Sequence, residues 1–160
     1  MEDLFENEYK METKYFKEYV YNVLCKKTII AGFIIALIGI LFFFLTSSQN
    51  SYIILTAAII AFISTILTPI ITTKQLEEAE KRLNNGTIEK TNVKFLNNIV
   101  MNEGKVHLEF EYGQITQIVY TKNFIVLKTS NQSAILVLKN GFLIGNETEF
   151  LKFIKEKTNK

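Results

Sequence analysis

Few side chains in this sequence are of a type that does chemistry. His107 is the sole histidine. Alternation along 105–112 puts it on one strand face with Glu109 and Glu111. Two carboxylates two residues apart are spaced for an acid–base pair, and a neighbouring imidazole for proton transfer. The same alternation describes the wetted face of an ordinary strand, and that reading is adopted. Lys122, Lys128, Lys139 and Lys152 are candidate contacts for an anionic group, against a background of lysines that serve solubility. Cys25 is the one cysteine and closes no internal disulfide; it reads as an apolar residue at a membrane interface. The sequence has no Gly-rich phosphate loop, no nucleophilic serine motif and no metal-ligand spacing. The expectation is a non-enzymatic chain with no cofactor and no metal.

The elements that must position these groups follow from how charge is distributed. From Thr28 to Thr73 there are 46 residues without Asp, Glu, Lys, Arg or His, while both flanks are densely charged. A charge at the bilayer centre costs about 2.5–3.5 kcal/mol or more, so such segregation marks membrane segments. The window divides into Thr28–Leu45 and Tyr52–Ile71, separated by the polar, uncharged stretch Thr46–Ser51. Each run is long enough for a helix of roughly 27–30 Å, the thickness of the hydrocarbon core. The rest of the chain is too short to bury so many apolar residues in a soluble fold. A cleaved signal peptide is not expected, because 27 residues with six acids precede Thr28 and two spans follow.

Lys26 and Lys27 precede the first run; Lys74, Lys81 and Arg82 follow the second. By the positive-inside rule both termini are expected in the cytoplasm, with Ser47–Ser51 outside. The Asn-x-Ser/Thr triplets at Asn85, Asn131 and Asn146 then carry no glycan. The bias to Lys, Asn and Ile, with a single Arg, is that of an AT-rich bacterial genome, so the expected location is the inner membrane of a bacterium. Within the spans, Gly32, Ala36 and Gly39 share one helix face. Ala57, Ala61, Ser64, Thr68 and Thr72 share another. Small residues let backbones approach, so these faces are expected to form a helix–helix interface. Pro69 deprives the Thr65 carbonyl of its helical donor.

Outside the spans the hydrophobic period decides. Thr13–Leu24 has helical spacing, and Lys74–Asn85 reads as a polar helix closed by Gly86. From residue 92 the period becomes 2. Strands are expected at 92–95, 99–102, 106–112, 115–120, 124–129 and 133–138, with an amphipathic helix at 146–157. The fold class is α+β: a transmembrane hairpin, then a small antiparallel-sheet domain with a C-terminal helix. The expected divisions are 1–27, 28–73, 74–86 and 87–160. A strand from Asp3–Lys10 is expected to cover an exposed edge of the sheet, and its loss to lower the melting temperature. Residues 74–160 hold 13 basic and 10 acidic residues, too even a balance for nucleic acid.

The run from Ile118 to Lys139, IVYTKNFIVLKTSNQSAILVLK, resembles the signature of YcxB-like bacterial membrane proteins. In that family two spans precede a strand-turn-strand that ends near Pro-Lys-Arg and leads to a C-terminal helix. Lys139 matches the lysine; Leu138 stands where proline is usual and Asn140 where arginine is usual. Glu149–Ile154 also fits. The resemblance implies a pleckstrin-homology-like sheet domain, and a topology rather than a mechanism. Two readings are therefore carried. In one, the chain is a binding or scaffolding module whose sheet domain meets an anionic lipid headgroup or a partner membrane protein at the inner leaflet. In the other, it is an accessory or self-protection subunit of a larger transport assembly, with its spans packed on other chains.

Overall fold

A computed structural model describes residues 4–46, 51–130 and 133–158. Residues 1–3, 47–50, 131–132 and 159–160, among them the acidic Glu2 and Asp3 and most of the expected outside stretch Ser47–Ser51, lie outside them. The chain divides into two units, Met1–Tyr15 with Ala79–Lys160, and Phe16–Glu78.

Helix α1, Thr13–Tyr19, passes through a π-helical turn at Val20–Leu24 into α2, Lys26–Leu45. Helix α3 runs unbroken from Ser51 to Leu83, so the polar helix expected after the second span is its continuation. Both α2 and α3 are long and apolar enough to cross a membrane. Ile35, Leu37, Ile38 and Leu41 on α2, with Ile53, Ile60, Ile63 and Leu67 on α3, are exposed. Pro69 sits inside α3 without ending it, and the Thr73 hydroxyl donates to its carbonyl at 2.7 Å. The helix stops where Asn85 and Gly86 take left-handed φ values of 56° and 92°. The Gly86 N–H then reaches back to the Lys81 carbonyl at 2.6 Å, an end that satisfies an orphan acceptor.

Alternating sequence builds the other unit. Its strands are β1 (Phe5–Lys10), β2 (Lys90–Phe95), β3 (Ile99–Glu103), β4 (Val106–Phe110), β5 (Ile115–Tyr120), β6 (Phe124–Thr129), β7 (Ala134–Leu138) and β8 (Phe142–Ile144). They form a five-stranded sheet in the order β4-β3-β2-β1-β8 and a three-stranded sheet β5-β6-β7. Every pairing is antiparallel. Helix α4, Glu147–Thr158, follows. This is the α+β layout that the hydrophobic periods predict.

Three features depart from expectation. Strand β1 is interior: Phe5–Lys10 pairs with Phe95–Lys90 on one side and with β8 on the other. The sheet unit therefore includes a strand from the N-terminal stretch, and the expected division 87–160 leaves that strand out. Strand β8 is not among the expected strands, because three residues between Gly141 and Gly145 are too few to show a period. Strand β4 ends at Phe110, and Tyr112–Gln114 form a 3-10 turn instead of prolonging it.

The core lies under α4. Phe150 is fully buried, with its ring centroid 4.7 Å from Phe95, 5.4 Å from Phe142 and 5.5 Å from Phe5. Asn146 caps the helix, its side-chain oxygen accepting from the Glu149 N–H at 3.0 Å. Glu147 and Glu149 occupy the first turn and Lys155 and Lys157 the last, matching the helix dipole.

Candidate functional site

The four lysines do not share one place. Lys122 lies in the β5–β6 turn, which Thr121 closes by accepting at its hydroxyl from the Phe124 N–H at 3.0 Å. Lys139 joins the same end of the three-stranded sheet, where its N–H donates to the Asn123 carbonyl at 2.9 Å. Its ammonium is 3.6 Å from a Glu147 oxygen, so that charge already has a partner. Lys128 sits at the far end of β6, opposite Gln117 and Ala134, and is half-buried. Lys152 is exposed on α4. Of the four, Lys122 and Lys152 are exposed and have no ion pair among the described residues.

The strand-face candidates are engaged in structural bonds. The imidazole Nδ1 of His107 is 2.6 Å from the Asn102 side-chain oxygen on β3. Glu109 accepts from the Asn98 amide at 2.7 Å. Glu111 lies beyond β4 and caps the 3-10 turn with Gln114. On β1 and β2, Glu8 pairs with Lys90 at 2.7 Å and Glu6 with Lys94 at 3.5 Å, while the Asn92 amide donates to Glu6 at 2.8 Å. Both pairs are partly open to solvent, and solvent-screened pairs contribute about 0–1 kcal/mol each.

One residue with a decisive position has no counterpart among the candidates. Asn7 is fully buried. Its amide donates to the Leu138 carbonyl at 2.8 Å, and its side-chain oxygen accepts from the Leu138 N–H at 2.9 Å. It thus ties β1, in the five-stranded sheet, to the last residue of β7, in the three-stranded sheet. Beside it the Glu8 N–H donates to the Gly141 carbonyl at 2.8 Å. A Cβ at Gly141 would lie 2.6 Å from the Glu8 oxygen, so the β7–β8 turn hugs β1. The signal in the sequence is an Asn at an inward position of Phe5-Glu6-Asn7-Glu8-Tyr9. Tyr112 is the other such residue. Its hydroxyl donates to the Leu96 carbonyl at 2.9 Å, and burial pushes its pKa up from 10.0 to about 12.

In the helical unit, α2 and α3 run antiparallel. Phe43 meets Tyr52 at 5.7 Å and Phe33 meets Phe62 at 5.5 Å between ring centroids. Gly32 faces Thr65, and a Cβ at Gly39 would lie 2.6 Å from that of Ala58. Ala36, Ala58, Thr65 and Thr73 are buried. Ala57, Ser64 and Thr68 are exposed, and Ala61 is half-buried. The α3 face toward α2 is thus the row one residue on from the expected one, Ala58 and Thr65 in place of Ala57 and Ser64. Glycine notches in α2 receive Thr65 and Ala58, and that choice sets the rotation of α3.

The β5-β6-β7 meander, with β8 and α4 after it, is the strand-turn-strand-to-helix plan that the signature describes. Residues 97–154 match the YcxB-like protein family. The YcxB-like segment runs from the start of β3 into α4. It leaves β1, β2 and both apolar helices outside the match. No curated protein and no solved structure matches the chain.

Proposed function

We propose that the protein is a membrane-anchored, non-enzymatic binding or scaffolding module. In this reading α2 and α3 cross the inner membrane of a bacterium, and a pleckstrin-homology-like unit of two sheets and a closing helix stands at the cytoplasmic face. The observation that carries it is the pairing of β1 with β2. The two strands are adjacent in one sheet, yet the chain between them is the whole apolar hairpin. Strands bonded in one sheet occupy one compartment, so the connection crosses a bilayer an even number of times. Two apolar helices supply two crossings. The lysine-rich flanks and the uncharged turn favour the cytoplasm for that compartment.

A sheet unit whose Glu6, Glu8 and His107 are engaged across strands suits recognition better than turnover. Of the four candidate lysines, the exposed Lys122 and Lys152 would meet an anionic headgroup or an acidic partner surface. The test uses the full chain in nanodiscs, with hydrogen exchange followed in phosphatidylcholine alone and with added phosphatidylglycerol. The expected result is added protection at the β5–β6 turn and α4, lost in the double variant Lys122→Glu, Lys152→Glu. Protection unchanged by that variant, together with unchanged partners in a mild-detergent purification, overturns the reading.

A further inference from the structure

In the helical unit a groove of about 440 Å³ stays open beside the contact between α2 and α3. Its upper end is Lys27, Thr28 and Thr68; its floor is Ala31, Gly32 and Ile35. The groove exists because residues of small volume line both helices there. Gly32 and Ala31 have almost no side chain, and the flanking ridge of α3 carries Ser64 and Thr68, both short and exposed. From Lys27 to Ile35 is roughly 12 Å along the helix axis. The groove therefore begins at the charged flank of the span and descends into the apolar run.

Its polar groups are unevenly engaged. The Thr65 and Thr68 hydroxyls donate to the Ala61 and Ser64 carbonyls at 2.8 and 2.7 Å. Among the described residues, the Lys27 ammonium and the Thr28 and Ser64 hydroxyls have no such bond. The result is a cationic and hydroxylated mouth above an apolar trough, the polarity profile of a phospholipid read from headgroup to chain. A basic recess between membrane helices on the cytoplasmic side is suited to anionic headgroups. A lysine at a span boundary also lifts its ammonium to the headgroup level while its stem stays on apolar surface.

We propose that this groove holds one anionic phospholipid, with its phosphate at Lys27 and Thr28 and one acyl chain along Ala31, Gly32 and Ile35. The inference rests on the reading of α2 and α3 as membrane spans, and it is separate from any ligand of the sheet unit. A neutral lipid has the chain but lacks the net charge that Lys27 selects. A second copy of the hairpin would fill the trough with a helix ridge and leave the ammonium facing no anion.

The experiment is native mass spectrometry of the full-length protein in detergent, titrated with phosphatidylglycerol or phosphatidylcholine of the same acyl chains. The expected preference for phosphatidylglycerol is about fivefold, the factor one lysine contributes near anionic lipid. Lys27→Gln removes the preference, whereas Lys26→Gln, which does not line the groove, retains it. Ser64→Leu fills the trough from an exposed position and lowers retention of both lipids. Equal binding of the two lipids, or equal loss in the Lys26 and Lys27 variants, overturns the proposal, because the charge effect would then belong to the whole surface. A dimer peak that Ser64→Leu abolishes, without lipid adducts, also overturns it in favour of a second copy. Carbonate extraction run alongside keeps the two readings apart. Release from membranes refutes the spanning helices, whereas retention without lipid selectivity refutes the groove alone.

Discussion

Asn7 does at one position what a strand does over several. Its carboxamide presents a donor and an acceptor to the backbone of Leu138 and so imitates a peptide group between two sheets. Truncation leaves the Leu138 N–H without its side-chain acceptor, while the Leu138 carbonyl keeps the Gly141 N–H at 2.9 Å; the loss of such a bond in a part-buried setting costs about 1–3 kcal/mol. Asn7→Ala is therefore expected to lower the melting temperature of the detergent-purified protein by several degrees. Asn7→Leu, of similar volume, is expected to do no better. A wild-type melt for either variant would mean that ring packing and the Glu8–Gly141 backbone bond hold the two sheets without the Asn7 amide. Tyr112 supplies a pH signature. Its phenol has a higher pKa in the folded chain, about 12 against 10.0, so its neutral form is the one the fold favours. That contribution is complete below pH 10 and fades as pH rises from 10 to 12. Tyr112→Phe has no such titration. The drop in melting temperature between pH 9 and 11.5 should be smaller in the variant than in the wild type, and an equal drop would refute the assignment.

At the scale of elements, the position of β1 matters most. An edge strand can be lost with local fraying, whereas an interior strand takes two ladders with it. Deleting residues 2–12 removes Phe5, Asn7 and Tyr9 as well as both ladders. The expected outcome is failure to fold the sheet unit rather than a shift of a few degrees. Gly145 belongs to the same joint. It has φ of 81° and lies against the Phe5 ring, so a side chain there would meet both backbone strain and the ring. The two apolar helices offer a paired test. Gly39→Leu forces a side chain against Ala58 and should cost about 1–3 kcal/mol through overpacking. Ala57→Leu adds bulk on an exposed face and should stay within about 0.5 kcal/mol. Thermal melts in detergent compare them; equal losses would place the contact on the Ala57 row.

For the molecule as a whole, the connectivity makes the hairpin an insertion between two neighbouring strands. Replacing residues 16–78 by a flexible Gly/Ser linker of about ten residues should then yield a soluble, cooperatively melting unit. The fragment 87–160, which lacks β1, should not melt cooperatively. A cooperative melt from that fragment would show that β1 is dispensable. Orientation is tested by labelling in a Cys25→Ser background. A cysteine at Ser48 should react with an impermeant thiol reagent in intact cells and one at Asn159 should not. The reverse pattern would invert the topology.

Composition and period alone determine the coarse architecture. A charge-free window, broken once by polar residues, dictates two apolar helices, because burying charge in hydrocarbon is costly whatever the tertiary context. The shift from a period of 3.6 to 2 near residue 92 determines sheets followed by a helix, since side-chain direction alternates within each element. The strand-turn-strand run to Lys139 was enough to name the family that residues 97–154 match. The partners of each element were decided only by tertiary structure. Strand β1 is separated from β2 by about half of the chain and from β8 by most of it, and no local pattern states that Phe5 will oppose Phe95. The three residues of β8 are ordered by β1 and by Phe150, not by their own propensity. The rotation of α3 depends on how glycine notches receive Ala58 and Thr65, a matter of fit between two surfaces. The same holds for the lysines: four are candidate anionic contacts by type, and pairing with Glu147 engaged Lys139, while sheet register sent Lys128 to the opposite end from Lys122.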